Sequence, residues 1–123
     1  MPEVDSNEPR TVSVEIRAAL KILKKWSCDP QQAKILLKLP ENFSYVDFEQ
    51  VSFSLEQVER VNYILNIHAS LRELFSNPEN VYGFMNMVNH NSPFNGTTPV
   101  DFILNGEDFN FQLVIEHIDS LFH

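Results

Sequence analysis

The sequence is poor in the residues that build covalent cross-links and phosphate-binding loops. Its one cysteine, Cys28, cannot form a disulfide within the chain, which suits a reducing compartment, and we expect a cytoplasmic protein. Its three glycines are too few for a P-loop or a dinucleotide fingerprint. No apolar run approaches the roughly 20 residues that cross a bilayer, so no membrane association is expected. The first residues, acidic and polar, are no secretory signal.

Basic residues are scarce in the second half of the chain. Residues 63–123 hold 7 acidic residues and 1 basic residue, whereas residues 1–62 hold 10 acidic and 8 basic ones. Within residues 14–39, six basic residues stand against two acidic ones. An acidic half repels phosphate backbones and favours basic partners, and an ordinary solvated surface would show the same bias.

Groups that carry catalysis or bind metals are present but badly spaced. No cysteine pair exists, and no two histidines are four residues apart among His68, His90, His117 and His123. A nucleophile would have to be Cys28 or a serine, and the G-x-S-x-G elbow is missing. We interpret His68 as a core histidine bonded to backbone, and Glu107 and Asp108 as carboxylates favoured by a helix dipole. The sequence predicts no metal, no cofactor and no enzyme.

Apolar residues recur at helical spacing through nearly the whole chain, so the predicted fold class is all-α. Cap residues and prolines mark the expected helix starts at Thr11, Asp29-Pro30, Ser54, Asn77-Pro78 and Thr98-Pro99. The first three helices should cover about 11–27, 30–37 and 55–75. The helix after Pro78 should bury one face made of Val81, Phe84, Met85 and Val88. The last should end almost at His123, with one face formed by Phe111, Val114, Ile115, Ile118 and Phe122.

The helix predicted for 55–75 is apolar on two sides. One stripe contains Val61, Ile64, Leu65, Leu71 and Phe75, and the other contains Tyr63, Ile67 and Leu74. A helix of this kind is wedged between neighbours. The neighbours would be the front and back parts of the same chain, or a second subunit in a homodimer, and both interpretations stay open.

A short segment at 91–101 combines two prolines, a glycine and a helix cap. This composition predicts a rigid turn between two helices. Gly96 follows Asn95, and this pair indicates a positive backbone angle at the turn.

Read in order, the motifs from residue 55 onward resemble the Xre/MbcA/ParS antitoxin family. They are carried by residues 55–65, by Leu71-Arg72-Glu73-Leu74-Phe75, by Asn77-Pro78-Glu79-Asn80, by the turn with Asn89, Asn91, Pro93-Phe94, Asn95-Gly96 and Thr98-Pro99, and by Ile103-Leu104-Asn105-Gly106. The resemblance implies an Xre-like helix-turn-helix front lobe at 11–54, joined by the long helix to a toxin-binding lobe at 55–123. Residues 1–10 are expected to form a disordered tail.

The resemblance also implies a partner and a site. Antitoxins of this family neutralise a RES-type toxin that consumes NAD, and their C-terminal region covers the toxin's active-site cleft. Transferred to this chain, the toxin-binding residues would be Pro93, Phe94, Asn95, Gly96, Glu116, Asp119, Phe122 and His123. The alternative for Phe122 is that it closes the protein's own core.

Operator DNA is the second partner that the resemblance implies, together with repression of the chain's own operon. The DNA-binding candidates are Arg17, Lys21, Lys24, Lys25, Asn42 and Ser44. The stretch that should contain the recognition helix, 39–48, departs from the family pattern because no Lys or Arg lies between Lys38 and Arg60. A DNA-binding regulator without a toxin partner, and a plain helical adaptor, are the alternative functions.

Overall fold

The computed structural model describes the backbone of residues 9–43 and 52–122 and the side chains of these ranges from residue 13 onward. Within these ranges the chain forms six α-helices and one 3-10 turn at Phe84–Asn86. The helices are α1 Pro9–Lys25, α2 Pro30–Leu37, α3 Leu55–Leu74, α4 Pro78–Gly83, α5 Pro99–Leu104 and α6 Asp108–Ser120. The described residues contain no strand, only an isolated bridge between Asn89 and Thr97. The predicted all-α class is confirmed, and no described helix is long and apolar enough to span a bilayer.

The helix starts follow the cap residues in the sequence. Asp29 and Ser54 each form a complete capping box with the glutamine three residues later, and Asn77 and Thr98 each cap a helix whose first residue is proline. These four predictions are confirmed. The first helix begins at Pro9, slightly before the predicted cap at Thr11.

The long helix α3 is the centre of the molecule and packs against α1, α2, α4 and α6. Both predicted stripes contribute to the core, with Val61, Ile64, Ile67 and Leu71 buried. Packing within one chain therefore accounts for a helix that is apolar on two sides, and no second subunit is needed to explain it. The homodimer stays a prediction.

Helices α3 and α6 lie side by side and run in the same direction. Tyr63 stacks on Phe111 with ring centroids 5.3 Å apart, and the Gln112 side chain donates to the Tyr63 hydroxyl over 3.2 Å. Residues one turn earlier, Arg60 and Asp108, also meet. Because parallel helices need a return connection, the segment between them must cross back along the molecule, and it contains α4, the turn and α5.

One expectation about the buried face is wrong. Val88 was expected to continue the face that begins at Val81, yet it is 56% exposed. The reason is that α4 ends at Gly83, and after the 3-10 turn the chain becomes extended at Met87. The helical period that would have buried Val88 no longer applies there.

Arg60 joins α2, α3 and α6 through one buried guanidinium. Its side chain is 3% exposed, its Nε donates to Asp108 Oδ1 over 2.7 Å, and its Nη1 donates to the Leu36 carbonyl over 3.1 Å. It also lies 4.8 Å from the centre of the Phe111 ring. Carbonyls at a helix C-terminus lack partners within the helix, so Arg60 satisfies one for α2. Asp108 is thus an ion-pair partner as well as a first-turn carboxylate.

Further side chains connect the front and back parts of the chain. Gln57 donates to the Lys38 carbonyl over 2.8 Å, Lys38 pairs with Glu56 at 2.9 Å, and Asn86 donates to the Trp26 carbonyl over 2.6 Å. These interactions show that the two parts pack on each other. The predicted lobe boundary at residue 54 stays a prediction.

Replacing Arg60 tests this connection. We expect Arg60→Met to lower the free energy of unfolding by about 2–3 kcal/mol, because it removes charge-assisted hydrogen bonds and leaves the Leu36 carbonyl without its partner. Asp108 is 38% exposed, so water recovers part of its loss. Urea denaturation measures the change. The matched control is Glu56→Gln, which breaks an exposed pair and should cost less than about 1 kcal/mol; equal losses in both variants would contradict the role of Arg60.

Candidate partner-binding site

The turn between the 3-10 helix and α5 is closed by backbone hydrogen bonds. The Asn89 amide donates to the Thr97 carbonyl over 3.0 Å, and the Gly96 amide donates to the Asn89 carbonyl over 2.8 Å. The bond between Ser92 and Pro93 is cis. Asn95 and Gly96 have φ angles of 51° and 100°, which confirms the positive backbone angle predicted from this pair.

Phe94 anchors this turn to the rest of the molecule. Its side chain is 3% exposed and meets two rings edge-on, Phe102 of α5 at 5.4 Å and His117 of α6 at 5.0 Å. Aromatic pairs of this geometry add to the gain from burying their area. Among the turn residues predicted to bind a partner, Phe94 therefore supports the turn from inside, Pro93 is half-buried, and Asn95 and Gly96 are exposed.

His117 lies in the middle of a row of rings that the sequence did not reveal. Its ring is 6.5 Å from Phe84, which is 6.0 Å from Phe75 at the end of α3. The row continues through Phe94 to Phe102 and so connects α3, the 3-10 turn, the closed turn, α5 and α6. The only signal in the sequence was the spacing of His117 three residues after Val114, which is a core position of α6.

The end of α6 lies beside the turn because His117 contacts Phe94. Glu116 and Asp119, predicted to bind a partner, are exposed on either side of His117 along the chain. Phe122 follows the helix and is 42% exposed. His123 lies outside the described residues. The structure thus places Phe94, on the inner side of the turn, against the α6 residue His117, while Glu116 and Asp119 beside it in sequence are exposed.

Several exposed apolar residues near this surface were not predicted as site residues. Met87 and Val88 immediately precede the closed turn and are 61% and 56% exposed. Leu121, one turn after His117, is 43% exposed. The helical period of the sequence predicted that Val88 lies in the core, so the exposure of Val88 and of its neighbour Met87 was not expected.

The predicted DNA-binding residues are partly described. Arg17, Lys21, Lys24 and Lys25 are all exposed on α1, and Lys25 lies 5.5 Å from the centre of the Tyr82 ring. Asn42 is exposed after α2. Ser44 and the second half of the stretch predicted to contain the recognition helix, 44–48, lie outside the described residues, so the helix-turn-helix stays a prediction.

Two titratable side chains bear on whether this protein could act as a catalyst. Burial, helped by the nearby carboxylates Asp29 and Asp101, raises the pKa of the Cys28 thiol to about 11, which disfavours the nucleophilic thiolate. Burial and then Arg72 lower the pKa of His68. The described residues contain no group of three His, Cys, Asp or Glu side chains that could hold a metal ion.

The expected backbone hydrogen bond of His68 is not found. Its ring stacks on Tyr82 at 5.4 Å, and its Nδ1 atom is buried without a hydrogen-bond partner in the described part of the chain. Within the described residues the prediction is therefore wrong, and the contact of the imidazole is the Tyr82 ring that stacks on its face.

The described residues form a small helical domain in which the closed turn packs on α6. Residues 70–123 match the family model described as the antitoxin Xre/MbcA/ParS C-terminal toxin-binding domain. This match agrees with the resemblance that the motifs indicated, and it supports an antitoxin role with a toxin as partner. No curated protein and no solved structure matches the chain significantly.

The backbone of the turn can be tested at Gly96. A side chain added there would meet only His90 Nδ1 at 3.9 Å, so the cost of Gly96→Ala should come from its φ of 100°. We expect a loss of roughly 1–3 kcal/mol in the free energy of unfolding. Gly83→Ala is the matched control, because Gly83 lies in α4 with nothing within 4 Å of the added carbon, and it should be neutral or stabilising. If thermal melts show the same change in stability for Gly96→Ala and Gly83→Ala, the turn is not rigid.

Proposed function

We propose that this chain neutralises a RES-type, NAD-consuming toxin by binding it and covering its active-site cleft. The covering surface is the turn at Asn95 and Gly96 together with the end of α6. One observation carries this proposal: Phe94 of the turn packs on His117 of α6, and both lie within the residues that match the toxin-binding domain. The role requires no catalysis by the chain itself.

Charge supports this choice of partner. Glu116 and Asp119 are exposed at the end of α6, in a half of the chain with 7 acidic residues and 1 basic residue. A cleft that holds an anionic dinucleotide needs cations, and such a cleft attracts carboxylates. The same carboxylates would occupy the positions that the substrate phosphates need.

Exposed apolar residues supply the second part of the proposed interface. Phe122 is 42% exposed, so the core of the protein uses only part of its surface, which favours a role at an interface over core closure. Leu121, Met87 and Val88 are also exposed at this end. Aromatic and large apolar side chains dominate binding energy when a partner covers them.

The proposal extends to the organisation of the chain. Residues 55–123 would form the toxin-binding lobe and residues 11–54 a lobe that represses the chain's own operon in the cytosol. The exposed basic face of α1, with Lys21, Lys24 and Lys25, supports an interaction with phosphates. A DNA-binding regulator without a toxin remains the second candidate function, on the same observation.

Toxin binding can be tested at Phe122. We expect Phe122→Ser to weaken binding to the toxin encoded beside this chain by at least about tenfold, because an aromatic anchor is removed. Thermal stability should change little, since the side chain is already 42% exposed. Calorimetry with purified toxin measures affinity, and co-expression measures protection from growth arrest.

The matched control is Phe109→Ser, at the opposite end of α6. Phe109 is 63% exposed, so this variant also replaces an exposed phenylalanine by serine and differs from Phe122→Ser only in its position on the surface. It should leave toxin binding intact. If Phe122→Ser binds like the wild-type protein, or if Phe109→Ser is equally weakened, the chain end is not the covering surface; if no variant or wild-type protein binds, the toxin role itself fails.

DNA binding can be tested on the basic face of α1. A gel shift with the DNA upstream of the chain's own reading frame should show a complex at low salt. The double variant Lys21→Met, Lys24→Met should weaken this complex and make the salt dependence shallower by roughly 1 logarithmic unit for each phosphate that a lysine no longer neutralises. Lys38→Met is the control, because Glu56 already pairs with Lys38 at 2.9 Å. If the gel shows no complex at low salt, the DNA-binding role is excluded.

A further inference from the structure

The single basic residue of the acidic half lies at a cavity. Arg72 is the one Lys or Arg among residues 63–123. It lines a cavity of about 390 Å³ where α3 ends and α4 begins, together with Phe75, Ser76, Asn77, Pro78, Val81 and Tyr82. This open pocket has a volume within the range of small-molecule sites, and polar and apolar side chains line it in similar measure.

The polar groups of this cavity are donors. No hydrogen bond or ion pair with another described residue engages the Arg72 guanidinium, which is exposed. Asn77 uses its side-chain oxygen to accept from the Asn80 amide over 2.8 Å, so the NH₂ group is the part of this side chain that can donate to a ligand. Ser76 contributes a hydroxyl. Guanidinium, amide and hydroxyl donors together suit a phosphate or carboxylate group.

A second cation stands beside the same cavity. Lys25 of α1 lies 5.5 Å from the centre of the Tyr82 ring, and His68 stacks on that ring at 5.4 Å. The carboxylates nearest in sequence, Glu73 and Glu79, are exposed and do not line the cavity. Among the described residues, Arg72 is therefore the one charged residue that lines the cavity, although the surrounding half of the chain is acidic.

We propose that this cavity binds a small aromatic phosphate, with the phosphate against Arg72, Ser76 and Asn77 and the planar ring against Phe75, Val81 and Tyr82. The apolar walls provide the area that a ring buries, and the donors at the mouth provide the charge-assisted hydrogen bonds. None of these residues belongs to the proposed toxin-binding surface, so the site stands independently of that function.

Titration of the full-length chain with phenyl phosphate tests the site. Calorimetry should give a dissociation constant of about 1 mM or tighter. Inorganic phosphate and phenol, which each carry half of the ligand, should both bind more weakly. The natural ligand could be a nucleotide or a simple aryl phosphate, and titration with adenosine monophosphate distinguishes them. If it binds more tightly than phenyl phosphate, the ligand is a nucleotide; if it binds more weakly, the ligand is a simple aryl phosphate.

Two variants locate the binding. Arg72→Met should weaken phenyl phosphate at least about tenfold, because it removes a charge-assisted hydrogen bond from an exposed residue without altering the core. Ser76→Glu, which places a carboxylate at the mouth, should abolish binding. Lys38→Met is the control, as Lys38 already pairs with Glu56 at 2.9 Å and does not line the cavity. The proposal is overturned if inorganic phosphate binds as tightly as phenyl phosphate, if nothing binds, or if both variants bind like the wild-type protein.

Discussion

The buried guanidinium of Arg60 fixes how the helices of this chain lie relative to one another. A buried charge is stable only when all its partners are in place, so the Leu36 carbonyl and Asp108 must both approach α3. Asp108 is the first residue of α6, so this ion pair holds the start of the helix against α3, and the Tyr63–Phe111 stack one turn later aligns the two helices. The end of α6, roughly 18 Å further along at 1.5 Å per residue, is thereby positioned as well.

The row of rings around His117 fixes the other end of α6. Phe84 and Phe94 both contact His117, and Phe94 holds the closed turn in place from inside. A surface whose backbone is set in advance loses less conformational freedom when a partner binds. The positive backbone angle at Gly96 and the two hydrogen bonds of Asn89 serve the same purpose, because they restrict the turn to one shape. The backbone that carries the proposed toxin-binding residues therefore has its conformation fixed before a partner binds.

Local features of this fold could be predicted from sequence, and long-range ones could not. The capping boxes at Asp29 and Ser54 and the angle at Gly96 depend on residues within a few positions of each other, so their patterns are visible in the chain. The Arg60–Asp108 pair spans 48 positions, and no periodicity indicates it. Val88 was misplaced because a helical period continued past the point where α4 ends. For the candidate site, the motifs identified Glu116, Asp119 and the turn, but neither the support by His117 nor the exposure of Met87.

The distribution of charge gives the two candidate sites preferences for partners of opposite charge. At the end of α6, exposed carboxylates accompany exposed Leu121 and Phe122, so long-range attraction to a cationic cleft and short-range burial of apolar area would act on the same partner. At the junction of α3 and α4, Arg72 and the nearby Lys25 favour anions. Phe75 lines that cavity and also begins the row of rings that reaches His117. The two sites thus share one rigid aromatic support, while the charges at their surfaces select different partners.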